Sequence, residues 1–183
     1  MKEDNMIMEN KTERAVRIIW YSFCVIIAAI SIRRFGIGGR VFTAGLFLLS
    51  LALAGAEDIR TMHIPDWMTA ACGAAGLLSI PFFPEISLAG RCLGAFGVSG
   101  LLLCITLLAP GSFGGGDVKL TAASGIFLGL EGNLRAFALA VFMAGAFCVW
   151  MLFRGKLGRR DRIAFGPFLC AGMMLQAAGS GYL

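Results

Sequence analysis

Apolar segments follow one another along nearly the whole chain, at 18–32, 41–56, 67–83, 88–109, 118–130, 136–153 and 163–183, broken by short polar turns. That pattern leaves few folds open. Lipid cannot satisfy exposed backbone N–H and C=O groups, so spanning segments are either helices or strands of a closed barrel. The alternating residue pattern of a barrel strand is absent here, and helices remain. Hydrophobic residues make up 58% of the 183 positions and charged residues 15%, a balance too apolar for a soluble domain. The chain is therefore read as an all-α, polytopic integral membrane protein with about six to seven transmembrane helices. Several segments fall short of the roughly 20 residues of a perpendicular span and are expected to extend into neighbouring turns. A polar tail (1–17), an anchor with a basic loop (18–40) and a helical core (41–183) divide the sequence. The first apolar segment lacks a small-residue cleavage pattern before Arg33, which predicts a retained anchor.

Basic residues in short loops set the orientation. The densest cluster is Arg154, Lys156, Arg159, Arg160 and Arg162. With that loop in the cytoplasm, counting segments backward puts the turns around residues 117 and 58 on the same side, together with the N-terminal tail. Arg33, Arg34 and Arg40 then fall outside, against the rule, so the first hairpin fits least well. The net charge of +5 matches those loops and anionic lipid headgroups, and no basic stripe with interleaved aromatics argues for nucleic acid. Arg91 lies near the start of an apolar segment and is predicted to reach the membrane interface along its own stem.

Few residues could do chemistry. Asp58 lies in Glu57-Asp58-Ile59-Arg60-Thr61-Met62-His63-Ile64-Pro65-Asp66, and Asp117 closes Gly111-Ser112-Phe113-Gly114-Gly115-Gly116-Asp117-Val118-Lys119. Each acid sits where an apolar segment meets a polar turn. Such residues also cap helices, and Asp117, after three glycines and before an apolar run, suits an N-cap. Three features favour a functional pair: the glycine run permits close approach, Pro65 pins the turn after Asp58, and the two turns share a side. The six cysteines fall within apolar segments without C-x-x-C spacing and read as packing residues, and the lone His63 reads as a turn residue. No metal or other cofactor is expected. The glycine run lacks the Lys-Ser/Thr of a phosphate-binding loop, which excludes a nucleotide site. Gly94 with Gly97, and Gly125 with Gly129, are read as close helix contacts.

Three stretches resemble the type IV prepilin peptidases and preflagellin peptidases, intramembrane aspartyl proteases of the G-x-G-D class. Gly114-Gly115-Gly116-Asp117-Val118-Lys119 is similar to their G-x-G-D-x-K signature. Asp58-Ile59-Arg60 with Ile64-Pro65-Asp66 resembles the first-aspartate motif, and Phe165-Gly166-Pro167-Phe168-Leu169 resembles a stretch of the last core helix. The resemblance runs from about residue 41 to the C-terminus and implies a six-helix peptidase core. It implies Asp58 and Asp117 as catalytic, with Gly114, Gly115, Gly116, Lys119, Arg60, Pro65, Asp66, Gly166 and Pro167 shaping the site or binding substrate. The implied substrate is a prepilin-like precursor with a short basic leader and an apolar helix, cut at the cytoplasmic face of the inner membrane. Glu57 and Asp66 could attract that leader. The paired C-x-x-C loop of bifunctional members is absent, so the resemblance is to a peptidase-only member.

Two adjacent carboxylates share a proton and titrate as a unit. One would draw a proton from water while the other donates to the scissile carbonyl. The helix start after Asp117 would favour its charged form by a few tenths to about 1 kcal/mol, leaving Asp58 with the proton. A small transporter or proton channel, or a non-catalytic assembly subunit, remains open from the residues alone.

Overall fold

The computed structural model describes residues 16–30, 38–109, 113–155 and 163–179. Among these residues the chain is all helical: α1 (Val16–Ile30), α2 (Gly39–Thr61), α3 (Asp66–Leu78), α4 (Leu88–Leu108), α5 (Gly115–Phe153) and α6 (Gly166–Gly179). Three of these, α2, α4 and α5, are long and apolar enough to cross a membrane. At 1.5 Å per residue, α3 and α6 are only about 20 Å long, short of a bilayer's hydrocarbon core. The N-terminal tail and the loops with Arg33, Arg34, Lys156 and Arg159 lie outside the described residues.

Local chemistry sets the breaks. Helix α2 stops where Met62 turns left-handed, its N–H bonding the Asp58 carbonyl at 2.9 Å, and Pro65 follows. Pro81 and Pro84 stop α3 from continuing. Ser87 starts α4 by accepting the Gly90 N–H at 3.0 Å.

Helix α5 is not straight. Gly129 has φ 69° and ψ −178°, a conformation open essentially to glycine alone. The Asn133 side chain donates to the Thr121 carbonyl, 12 residues earlier, at 3.0 Å, and accepts from Ser124 at 3.2 Å. Twelve residues of straight helix would span about 18 Å, so the chain must fold back at Gly129. The two arms are called α5a (115–128) and α5b (130–153). The apolar pattern predicts a break over 131–135; those residues are helical, and the chain reverses earlier, at Gly129.

Helix α4 packs against this hairpin glycine to glycine. A Cβ on Gly94 would lie 2.5 Å from the Gly129 carbonyl carbon and 2.6 Å from the Gly125 oxygen. Asn133 also donates to the Gly94 carbonyl at 2.9 Å, tying α4 to both arms. Phe47 of α2 stacks on Phe127 of α5a at 4.1 Å in the core.

Arg91 departs from the interfacial anchor expected of it. Its side chain is 3% exposed and donates to the Ser79 hydroxyl (2.8 Å) and to the carbonyls of Ile126 (2.7 Å), Phe83 (3.0 Å) and Ile86 (3.3 Å). The turn after α3 and the end of α5a both leave carbonyls without a helical N–H, and a fork of five donors satisfies them from one residue.

Candidate active site

The last turn of α2 carries Asp58 and the first turn of α5 carries Asp117, and the bundle brings these ends together. Both side chains are buried, at 6% and 7% exposure. They lie within electrostatic range of each other, and Gly116, beside Asp117, packs on Ile64 of the Asp58 motif, which puts both at one end of the bundle. Each is held by one backbone donor. Asp58 Oδ2 accepts the Gly166 N–H at 3.1 Å, from the first residue of α6. Asp117 Oδ2 accepts the Gly114 N–H at 3.2 Å. The N-cap of α5 is therefore Gly114, and Asp117 stands three residues further on, bonding back to it. The residue pattern suits Asp117 itself as the cap; the structure puts the cap three residues earlier.

The glycines differ in what surrounds them. A Cβ on Gly166 would lie 2.5 Å from Asp58 Oδ2, so only glycine lets the α6 backbone come close enough to donate. A Cβ on Gly116 would meet Ile64 Cβ at 3.0 Å, which brings the two aspartate motifs into direct contact. Gly115 faces open space. Pro167 needs no N–H partner in the first turn of α6. Pro65 precedes α3 in an extended conformation.

The charged residues pair among themselves. Lys119 Nζ bonds Asp66 Oδ1 at 2.7 Å and holds that carboxyl below its usual range. Arg60 pairs with Glu57 at 3.4 Å. Both acids expected to draw in a basic leader thus already have cationic partners on this chain, and both pairs are largely exposed. His63 is exposed in the turn, its carbonyl accepting from Thr61.

An aromatic cluster links the motifs. Phe113, just before Gly114, lies edge-on to Phe165, just before Gly166, with ring centres 5.1 Å apart. Phe137 of α5b packs against both at 6.4 Å. The residues preceding the two N–H donors are therefore clasped together. Phe-Gly occurs four times in the chain, at 35–36, 96–97, 113–114 and 165–166, so the sequence gave no sign of which two would meet, and nothing in it pointed to Phe137. Among the described residues no three His, Cys, Asp or Glu side chains cluster as a metal site would require.

Two buried carboxylates that interact electrostatically, each oriented by a backbone N–H, can pass protons in both directions. The model of the type IV leader peptidase family matches residues 45–149, a stretch that contains both aspartates and ends before α6. The chain is 32% identical over 146 residues to a prepilin leader peptidase/N-methyltransferase of Bacillus subtilis, covering 78% of this chain and 57% of the relative. It is 30% identical over 151 residues to a protein of the same description from Burkholderia pseudomallei, covering 80% and 49%. A third, from Xanthomonas campestris, is 28% identical over 150 residues, covering 79% and 52%. The chain spans about half the length of these relatives. No solved structure matches it.

Proposed function

The chain belongs to the type IV leader peptidase family, and from that premise we propose that it is an intramembrane aspartyl endopeptidase removing the leader from prepilin-like precursors. The observation that carries this reading is the meeting of Asp58 and Asp117, from separate motifs, as buried neighbours each fixed by a glycine N–H. In the proposed mechanism one carboxylate takes a proton from a water as it attacks the scissile carbonyl. The other gives a proton to the carbonyl oxygen, and the tetrahedral intermediate then expels the amine as it is protonated. Fixing both carboxylates in a buried place spares the reorganisation that a solvated pair would need.

Gly114, Gly116, Gly166 and Pro167 shape the site in this reading, and the Lys119–Asp66 and Arg60–Glu57 pairs flank its mouth. The cytoplasmic face of the inner membrane is the proposed side of cleavage, from the basic loops in the sequence. Methyl transfer is not part of the proposal. The two acids share one end of the bundle, where a transporter would string them along a path through the bilayer, so the peptidase reading is preferred.

The test is cleavage of a prepilin-like precursor by the purified protein in lipid, with wild type compared against Asp58→Asn and Asp117→Asn. Wild type should cut after the leader and both variants should lose cleavage while keeping their melting behaviour. Cleavage by either variant at the wild-type rate would refute the dyad.

A further inference from the structure

Asp58 and Asp117 are covered in this structure, and a peptide bond reaches them only if an element moves aside. Helices α2 and α5a carry the acids themselves. The start of α6 supplies the N–H that holds Asp58 and is clasped through Phe165. Helix α3 carries neither acid and neither donor, yet Ile64, at the turn into it, is 2% exposed and lies on Gly116, beside Asp117. It is the element that can uncover Asp117 and leave both carboxylates held.

The two ends of α3 are fixed differently. At the end away from the acids, Ser79 is buried, donates to the Gly76 carbonyl at 2.6 Å and accepts from Arg91 at 2.8 Å. At the near end, the polar tie to α5a is the Lys119–Asp66 pair, and both of its side chains are exposed. Exposed pairs of this kind hold weakly. The outer face of α3, with Trp67, Ala70, Ala71 and Ala74, is exposed and leaves room for outward movement.

Beneath that tie the seam encloses an unsatisfied group. The Thr69 hydroxyl is buried without a hydrogen-bond partner, the one such side-chain atom among the described residues. Thr43, Thr61, Thr106 and Thr121 each donate to the carbonyl four residues back in their own helix. For Thr69 that carbonyl belongs to Pro65 and already accepts the N–H groups of Met68 and Thr69. Thr69 follows Asp66 by three residues and precedes Gly73 by four, so it shares the face that meets Lys119 and Ala123 on α5a. An unpaired buried hydroxyl is a standing cost of the closed seam, and contact with water removes it.

We propose that α3 is a gate over the two acids. Its first turns swing away from α5a about the end anchored on Arg91, parting Asp66 from Lys119 and lifting Ile64 from Gly116. Both carboxylates keep their N–H donors as it opens. Why the acids must be reached rests on the peptidase reading; the movement itself is measurable without it.

The test is maleimide labelling of Thr69→Cys in the full chain in nanodiscs, with each cysteine located by mass spectrometry. Adding Lys119→Gln releases the tie and should speed labelling at position 69 about tenfold, while Cys170, buried in α6, stays at its rate. Equal labelling at 69 with and without Lys119→Gln would overturn the gate, as would a parallel rise at Cys170, which reports a loosened bundle. Thr69→Val fills the same space without the hydroxyl and favours the closed seam, so it should melt above wild type and lower kcat/KM about fivefold. A Thr69→Val variant that melts lower, or that cuts as fast as a working wild type, refutes the gate and leaves the peptidase standing. Wild type that cuts nothing refutes the peptidase reading, and the labelling then decides the gate alone.

Discussion

Gly166 has no room for a side chain, because a methyl group there would press on the carboxylate that its own N–H holds. Gly166→Ala should therefore displace Asp58, and displacements near 1 Å at a reacting group cost on the order of 100-fold in rate. Gly115→Ala is the matched control: its methyl would enter open space, and cleavage should stay within about twofold of wild type while stability holds or rises slightly. Initial rates on one precursor, with thermal melting of each variant, check both. The sequence named the three glycines before Asp117 as a group and gave no means of ranking them. Their neighbours, Ile64 for Gly116 and Asp117 for Gly114, come from elsewhere in the fold or from the exact turn of the chain. Asp117 itself was legible as a residue at a helix start, but its standing three residues inside the helix depends on where the first hydrogen bond forms.

Between elements, much of the architecture rests on polar groups that hydropathy would count against a membrane helix. Arg91 joins the turn after α3 to the end of α5a through four acceptors. Arg91→Met keeps the bulk and removes the donor; the Phe83 carbonyl keeps the Ile86 N–H and the Ser79 hydroxyl keeps Gly76, so the loss falls on the Ile126 and Ile86 carbonyls at about 1–3 kcal/mol each, and the variant should lose at least about 2 kcal/mol of stability. Thermal or steric-trap unfolding in detergent measures it. An Arg91 that merely reached the interface would lose almost nothing. The Phe113–Phe137–Phe165 cluster makes a different prediction, because it clasps the residues next to both N–H donors. Phe137→Ala should lower kcat about tenfold with KM within about twofold, and Phe137→Leu should recover most of the loss. Unchanged kcat in Phe137→Ala would mean that the clasp does not set the spacing of the carboxylates. Neither feature could be read from hydropathy, since a window average records an arginine as a cost and a phenylalanine as lipid-facing or core alike.

For the molecule as a whole, α1 is attached to the bundle through its packing on α2. Trp20 anchors it to α2, buried to 8% exposure and hydrogen-bonded to Ala52. Trp20→Ala removes a large buried ring, a change that costs about 3–5 kcal/mol at well-packed sites. The expected result is a loosened α1 and an intact remainder: faster proteolysis before residue 39 with an unchanged fragment pattern beyond it. Equal proteolysis of wild type and variant would show that α1 is held by other contacts.

The sequence by itself determined the helical, membrane-embedded class, because a chain this apolar has no other way to satisfy its backbone in lipid. It also determined the two acids and the glycines around them, since local turn chemistry and spacing are properties of neighbouring residues. The tertiary structure alone decided the rest. Reversal at Gly129 follows from α4 packing glycine to glycine against the hairpin, which no single segment encodes. The burial of Arg91 depends on the end of α5a, 35 residues further along the chain, meeting it in space. The bond from Gly166 to Asp58 spans 108 residues, and contacts at that separation exist only once the whole bundle has closed.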